Sequence, residues 1–226
     1  MEPLVVREAT LSSAAVVADV IWEGDTEVPP LATRDLRVPV PAFVCPVPVP
    51  GRTVVAVSYE TGGSSFRATL PPADPYAVLE RLSTDACVTD AVTDVVRLTL
   101  RDELTIEGSG ASATALVGLS LAPTGDASAE SVTISSVAAT TLLSPAGGAP
   151  EWPIDASVSA EDDPRTILLP AVPARCDPHA LAEDKVGTIL RVEVTFPDGR
   201  VGAVNVPASD ALRSALHTFV RERCHG

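Results

Sequence analysis

Pro39-Val40-Pro41-Ala42-Phe43-Val44-Cys45 and Pro170-Ala171-Val172-Pro173-Ala174-Arg175-Cys176 are two versions of one segment, each with its proline six residues before its cysteine. A Thr-led apolar run follows each of them, Thr53-Val54-Val55-Ala56-Val57 in one copy and Thr188-Ile189-Leu190-Arg191-Val192 in the other. Each copy then carries a hairpin signal, a closing Leu70-Pro71 or Val206-Pro207, and a helix-like segment that ends in a second cysteine, Cys87 or Cys224. Upstream, Thr10-Leu11-Ser12-Ser13-Ala14-Ala15 resembles Thr133-Ile134-Ser135-Ser136-Val137-Ala138. The two tryptophans fall in step as well, as Trp22-x-x-Asp25-x-x-Val28 and Trp152-x-x-Asp155-x-x-Val158. The chain therefore reads as a tandem duplication.

The local patterns suit a mainly β protein. Ala14 to Trp22 is a Val-rich apolar run of the kind a buried strand needs. Leu36 to Val40 is extended, and Pro39 and Pro41 place it at an edge or leaving a sheet. Val54–Tyr59 and Ser65–Leu70 flank Glu60-Thr61-Gly62-Gly63-Ser64, a hairpin with glycines for positive φ. Asp74-Pro75 starts a short helix ending at Cys87, and 88–94 reads as an interdomain connection.

In the second copy, Val95–Leu100, Leu104–Glu107, Ala113–Ala122 and Val132–Ala138 read as strands between turns. Ser144–Pro150 and Ala160–Pro164 read as loops, and Ile167–Leu169 as the strand before the cysteine. Leu190, Val192, Val194 and Phe196 alternate with polar residues, turn at Pro197-Asp198-Gly199, and return as Val201–Val206. Ser209 can cap a last helix with the stripe Leu212, Ala215, Leu216, Phe219 and Val220. Two tandem immunoglobulin-like β-sandwich domains are expected, at residues 1–90 and 91–226, each with one C-terminal helix and one disulfide. Val95–Ala122 has no counterpart before Thr10, so the first domain is expected to be either smaller or truncated at its N-terminus.

The chain has 226 residues, 46% of them hydrophobic and 20% charged, enough to bury a core. Its formal net charge is −14, with Lys185 the single lysine. No cluster of basic residues is present to neutralise a row of phosphates, so nucleic acid is not an expected partner.

Four cysteines in equivalent positions point to an oxidising compartment, and the repeat selects Cys45–Cys87 and Cys176–Cys224 from the three pairings available. Reduced, buried thiols are the alternative. No Cys-x-x-Cys spacing suggests a metal or redox site. Residues 1–4 begin no signal peptide, and no apolar run is long enough to span a membrane. An exported protein needs such a segment, so an upstream targeting or membrane segment is expected to have been removed, with membrane attachment only through it.

The richest chemical stretch is Arg175-Cys176-Asp177-Pro178-His179-Ala180-Leu181-Ala182-Glu183-Asp184-Lys185. It holds four more residues between cysteine and strand than the first copy, where Pro46-Val47-Pro48-Val49-Pro50 fills most of the space. His179 and Glu183 share a face if this is a helical turn, and with Asp177 they form a candidate divalent-metal set. The simpler reading is a short helix started by Asp177-Pro178 and ended by Gly187, with solvated charges. His217 and His225 complete the histidines, and no Gly-x-Ser-x-Gly elbow or phosphate loop occurs. Glu161-Asp162-Asp163 reads as a solvated loop run, and Trp22 and Trp152 as packing residues.

The run from Arg175 to Lys185, with the hairpin and terminal helix that follow, resembles exported or membrane-anchored proteins of actinobacterial type that have no assigned function. The bias to Arg, Ala, Val and Pro is similar too. The resemblance implies an envelope or extracellular location and brings no catalytic residue or cofactor. The expected function is non-enzymatic: binding of an unknown protein or cell-envelope ligand, or surface display. The competing expectation is a metal-dependent or carbohydrate-processing enzyme using the His179 region.

Overall fold

The computed structural model describes residues 2–46, 53–126, 129, 131–177 and 185–225. It is mainly β, with three antiparallel sheets and two disulfides, Cys45–Cys87 and Cys176–Cys224. The chain divides into two compact units, Met1–Cys87 and Val88–Gly226.

Unit 1 contains β1 (Leu4–Ser12), β2 (Val20–Val28), β3 (Val54–Thr61) and β4 (Ser64–Leu70), in the spatial order β2-β1-β3-β4. The hairpin between β3 and β4 turns on Gly62 and Gly63, both at positive φ, as the turn requires. Ala14–Trp22 is not one strand. β1 ends at Ser12 and β2 starts at Val20, and the Ser13 hydroxyl accepts from the Ala15 N–H to begin the intervening turn. Among the described residues one sheet stands here, where a sandwich was expected.

The helix that Asp74 starts runs further than the sequence suggests. This helix, α1, covers Val78–Val95, so 88–94 is helical and not an irregular connection. Val88, Val92 and Val95 recur at helical spacing and are buried in the core of unit 2, which is why the helix does not stop at Cys87.

Unit 2 has two sheets. One comprises β8 (Val132–Ala138), β10 (Glu151–Val158), β12 (Ile189–Thr195) and β13 (Val201–Pro207), in the order β10-β8-β12-β13. The other comprises β5 (Val96–Leu100), β6 (Thr105–Glu107), β7 (Thr114–Pro123), β9 (Leu143–Pro145) and β11 (Arg165–Pro173), with β7 and β11 at its centre. The short strand β9 lies where a loop was expected. Alternate residues of β7 (Ala115, Val117, Leu119 and Leu121) join Ile134, Val137, Leu190, Val192 and Val194 of the first sheet in one buried core. The closing helix α2 (Asp210–His225) is capped by the Ser209 hydroxyl, which accepts from the Leu212 N–H, and it buries Leu212, Leu216, Phe219 and Val220.

The two four-stranded sheets match in detail. Trp22, Ala9, Val57 and Ala68 lie opposite one another across β2-β1-β3-β4. Trp152, Val137, Val192 and Val204 do the same across β10-β8-β12-β13. Ala9, not Ala14, is therefore the counterpart of Val137, which corrects the alignment of Thr10–Ala15 with Thr133–Ala138. Both sheets carry the same β-bulge. Arg7 is the extra residue on β1 opposite Gly24 and Asp25, and Ser135 on β8 opposite Ile154 and Asp155. The Trp-x-x-Asp spacing marks this bulge, and Asp155 takes φ of 50°, a conformation Asp tolerates better than most residues.

Gly202 lies on the inner face of β13, where a Cβ would come within 2.5 Å of Val88 Cγ2. Gly202→Ala is expected to destabilise unit 2 by about 1–3 kcal/mol through overpacking. In chemical denaturation, the loss should be smaller when Val88→Ala is combined with it than the two single losses would give together.

Candidate functional site

Of the metal-binding candidates, His179 and Glu183 lie outside the described residues. Asp177 is exposed in the segment after β11, and Lys185 is exposed beyond it. Among the described residues, no group of three or more His, Cys, Asp or Glu side chains comes together in a metal-binding arrangement. In the Glu161-Asp162-Asp163 run, the Asp162 carboxylate accepts from the backbone N–H and the hydroxyl of Ser159. These bonds, the backbone one first, hold its pKa below the ordinary value, so the residue staples a loop. The Trp152 indole is buried and donates to the Pro170 carbonyl at 2.8 Å, a packing role. His217 sits on α2, where its carbonyl accepts from Arg221 Nε.

The feature that stands out is one face of the unit 1 sheet. Direct cross-strand partners point to the same side. Val6, Ala9 and Leu11 therefore share a face with Trp22, with Val55, Val57 and Tyr59, and with Phe66, Ala68 and Leu70. The opposite face carries Glu8, Thr10, Glu23, Ser58, Glu60 and Arg67. There the Arg7 guanidinium, on the bulge, reaches both Asp25 and Glu60. Its pKa is raised, chiefly by the Glu60 hydrogen bond and then by the one to Asp25. The sheet is thus amphipathic, and its apolar side needs a cover.

Unit 2 shows what a full cover does. Leu190, Val192 and Val194 occupy the positions of Val55, Val57 and Tyr59, and all three are at most 1% exposed. In unit 1 the same positions are only half-buried, and Phe66 and Leu70 are 48% and 53% exposed. Tyr59 and Phe66 stack on each other at 5.6 Å between ring centroids, across the β3–β4 hairpin. The strands β5, β6 and β7, which precede β8 in unit 2, have no counterpart among the residues of unit 1.

A groove of about 690 Å³ opens at one end of this face. Leu11 and Ala15, Val38 and Val40, and Val78 and Leu79 of α1 form its apolar walls. Asp74 sits at the rim and accepts from the N–H groups of Val78 and Leu79 at 2.9 and 3.1 Å, which fixes the start of α1. These bonds, Val78 first, lower the Asp74 pKa. A second hollow, of about 610 Å³, lies in unit 2 between the Gly108-Ser109-Gly110 turn and α2, and Arg223 donates there to the Ala113 carbonyl.

Comparison of the chain with protein-family models, with curated proteins and with solved structures gives no match. The functional reading therefore rests on the geometry of the chain itself. The sequence did carry a signal for this face: the strand-rich Val95–Ala122 has no equivalent before Thr10, while the apolar alternation of β3 and β4 is intact.

Two measurements test the description. Val192→Ala should cost about 2 kcal/mol, from lost burial plus a cavity, whereas Val57→Ala at the matching position should cost less than about 1 kcal/mol. Asp74→Ala should lower the melting temperature of unit 1 at neutral pH. A depressed carboxyl pKa stabilises the folded state above the unfolded value and loses that effect as pH falls through the folded one. The difference between parent and variant should therefore close below about pH 4.

Proposed function

We propose that this chain is a non-enzymatic binding module of the cell envelope or extracellular space, and that its binding surface is the apolar face of the first sheet. The observation that carries the reading is the contrast at matched positions: Val55, Val57 and Tyr59 are half-buried where Leu190, Val192 and Val194 are sealed. Isolated apolar residues on a surface are ordinary, but a contiguous sheet face of them marks an interaction site.

On this reading the two units descend from one duplicated β-sandwich design. Strand order, bulge position, tryptophan ladder and the cysteine bridge to a helix all support common descent. The second unit is close to an immunoglobulin-type split into two layers, β5-β7-β11-β9 with β6 paired to β7, and β10-β8-β12-β13. Two features differ from that pattern: β9 precedes β10 in the chain, and the disulfide ties the segment after β11 to α2 instead of joining the sheets.

The location follows from the disulfides, which persist in oxidising compartments, and from the likeness of Arg175–Lys185 to exported actinobacterial-type proteins. Among the described residues no helix is long and apolar enough to cross a membrane. The net charge of −14 argues against nucleic acid as the partner.

Hydrogen exchange on the full chain, with and without a cell-envelope fraction, tests the proposal. Protection is expected at 4–11 and 54–70, with β12 and β13 unchanged. Phe66→Asp combined with Leu70→Asp should abolish that protection while costing less than about 1 kcal/mol each, as exposed sites do. Unchanged exchange at the face in the presence of every envelope fraction would reject it.

A further inference from the structure

The covering sheet of unit 2 is built on β11, and unit 1 contains the corresponding segment without its partner strand. Counting back from the matched cysteines, 34–40 (Arg34-Asp35-Leu36-Arg37-Val38-Pro39-Val40) aligns with Arg165-Thr166-Ile167-Leu168-Leu169-Pro170-Ala171. In unit 2 those seven residues form an antiparallel ladder with β7, from Arg165 opposite Leu121 to Ala171 opposite Ala115. Residues 35–40 belong to no strand, and they make no backbone hydrogen bond with the described residues. Leu169 and Ala171 are 1% and 0% exposed, whereas their counterparts Val38 and Val40 are 45% and 70% exposed.

We propose that residues 34–40 accept an added β-strand, antiparallel and about seven residues long, in the place that β7 fills in unit 2. The proposal rests on the binding-module reading and names the chemistry of the partner. Its strand carries Ala, Val or Leu at alternate positions, as Ala115, Val117, Leu119 and Leu121 do on β7. Those side chains cover the apolar face of the first sheet, while the strand's backbone pairs with 34–40. Main-chain bonds supply register and the alternate side chains supply selectivity, as in other cases of strand addition.

Two points favour a strand over a second copy docking face to face, and a third removes an objection. Packing two sheet faces would bury side chains but leave the backbone of 34–40 unpaired, because faces offer no main-chain donors or acceptors. Two copies of a chain with net charge −14 also repel one another. Pro39 is no obstacle to pairing, since Pro170 lies at the same place inside the β11 ladder.

The test uses the full chain and a synthetic peptide with the sequence of Thr114–Pro123 followed by a short polar tail. Saturable binding is expected, with exchange at the amides of 35–38 and 40 slowed about tenfold or more. A peptide carrying Val117→Ser, Leu119→Ser and Leu121→Ser should not bind, and Val38→Asp with Val40→Asp in the protein should abolish binding while unit 2 exchange stays unchanged. Four outcomes overturn the proposal. The first is no binding, and the second is protection of 54–70 without protection of 35–40. The third is peptide exchange into unit 2, seen as altered protection at Arg165–Ala171. The fourth is concentration-dependent dimerisation that protects the same face without peptide. Protection of 54–70 by the envelope fraction, with no peptide binding, would reject the strand and leave the binding module standing.

Discussion

A sheet with one apolar face must have that face covered, and most of this molecule follows from how each unit meets that demand. In unit 2, β7 meets it: Ala115, Val117, Leu119 and Leu121 close over Ile134, Val137, Val192 and Val194, and every one of them is essentially solvent-free. Burial at about 25 cal/mol per Å² makes such a layer the main source of a domain's stability. Unit 1 has the same sheet, bulge and tryptophan position without that layer. Val38 to Pro41 and the start of α1 line the groove beside Leu11, and on the same face Val6 and Val20 are buried while Val55, Val57 and Tyr59 are half-buried.

What holds the uncovered sheet together has to come from elsewhere. The Cys45–Cys87 bridge closes a loop across a sequence separation of 42 residues. In the chain-entropy picture that is worth about 4 kcal/mol against the unfolded state. It ties the segment after residues 34–40 to α1, so 34–40 is anchored close to its C-terminal end. The polar face adds the Arg7 bridge to Asp25 and Glu60, though exposed ion pairs contribute little each. In unit 2 the matching positions carry Ser135 and Thr195, whose hydroxyls meet at 3.1 Å. The bulge thus keeps a cross-strand polar contact in both units while its chemistry changes.

The sequence made some of this plain and hid the rest for identifiable reasons. The β3–β4 and β12–β13 hairpins were legible because strict alternation meets a turn of glycines or Pro-Asp-Gly. Both disulfides were legible because the repeat left one sensible pairing. β1 was missed because its extra residue, Arg7, breaks the alternation between Val6 and Glu8. Ala14–Trp22 looks like a strand because apolar runs carry no signal of chain direction; the chain turns after Ser13, and Ala15 and Val17 bond instead to Val44 and Ala42. The helical run past Cys87 was read as a connection because Val88, Val92 and Val95 acquire a reason to be helical only when a core lies against them. The face of unit 1 was legible in part: the missing counterpart of Val95–Ala122 was visible, but its consequence for Val57 and Tyr59 required the register.

That register also decides between two meanings of an exposed apolar surface. A loose or frayed domain exposes hydrophobic residues without order, and its positions would match nothing in a sealed relative. Here the half-buried residues Val55, Val57 and Tyr59 are those whose equivalents lie beneath a sheet, and residues 38–41 line a groove with Leu11 of the same face. Val38 and Val40 stand where Leu169 and Ala171 are buried, and Val57 where Val192 is. Side chains and backbone are left unsatisfied together, in the geometry of a single absent strand. A surface of that form specifies both the apolar pattern and the hydrogen-bonding direction of what fits it, so the requirement falls on the conformation of the partner as much as on its hydrophobicity.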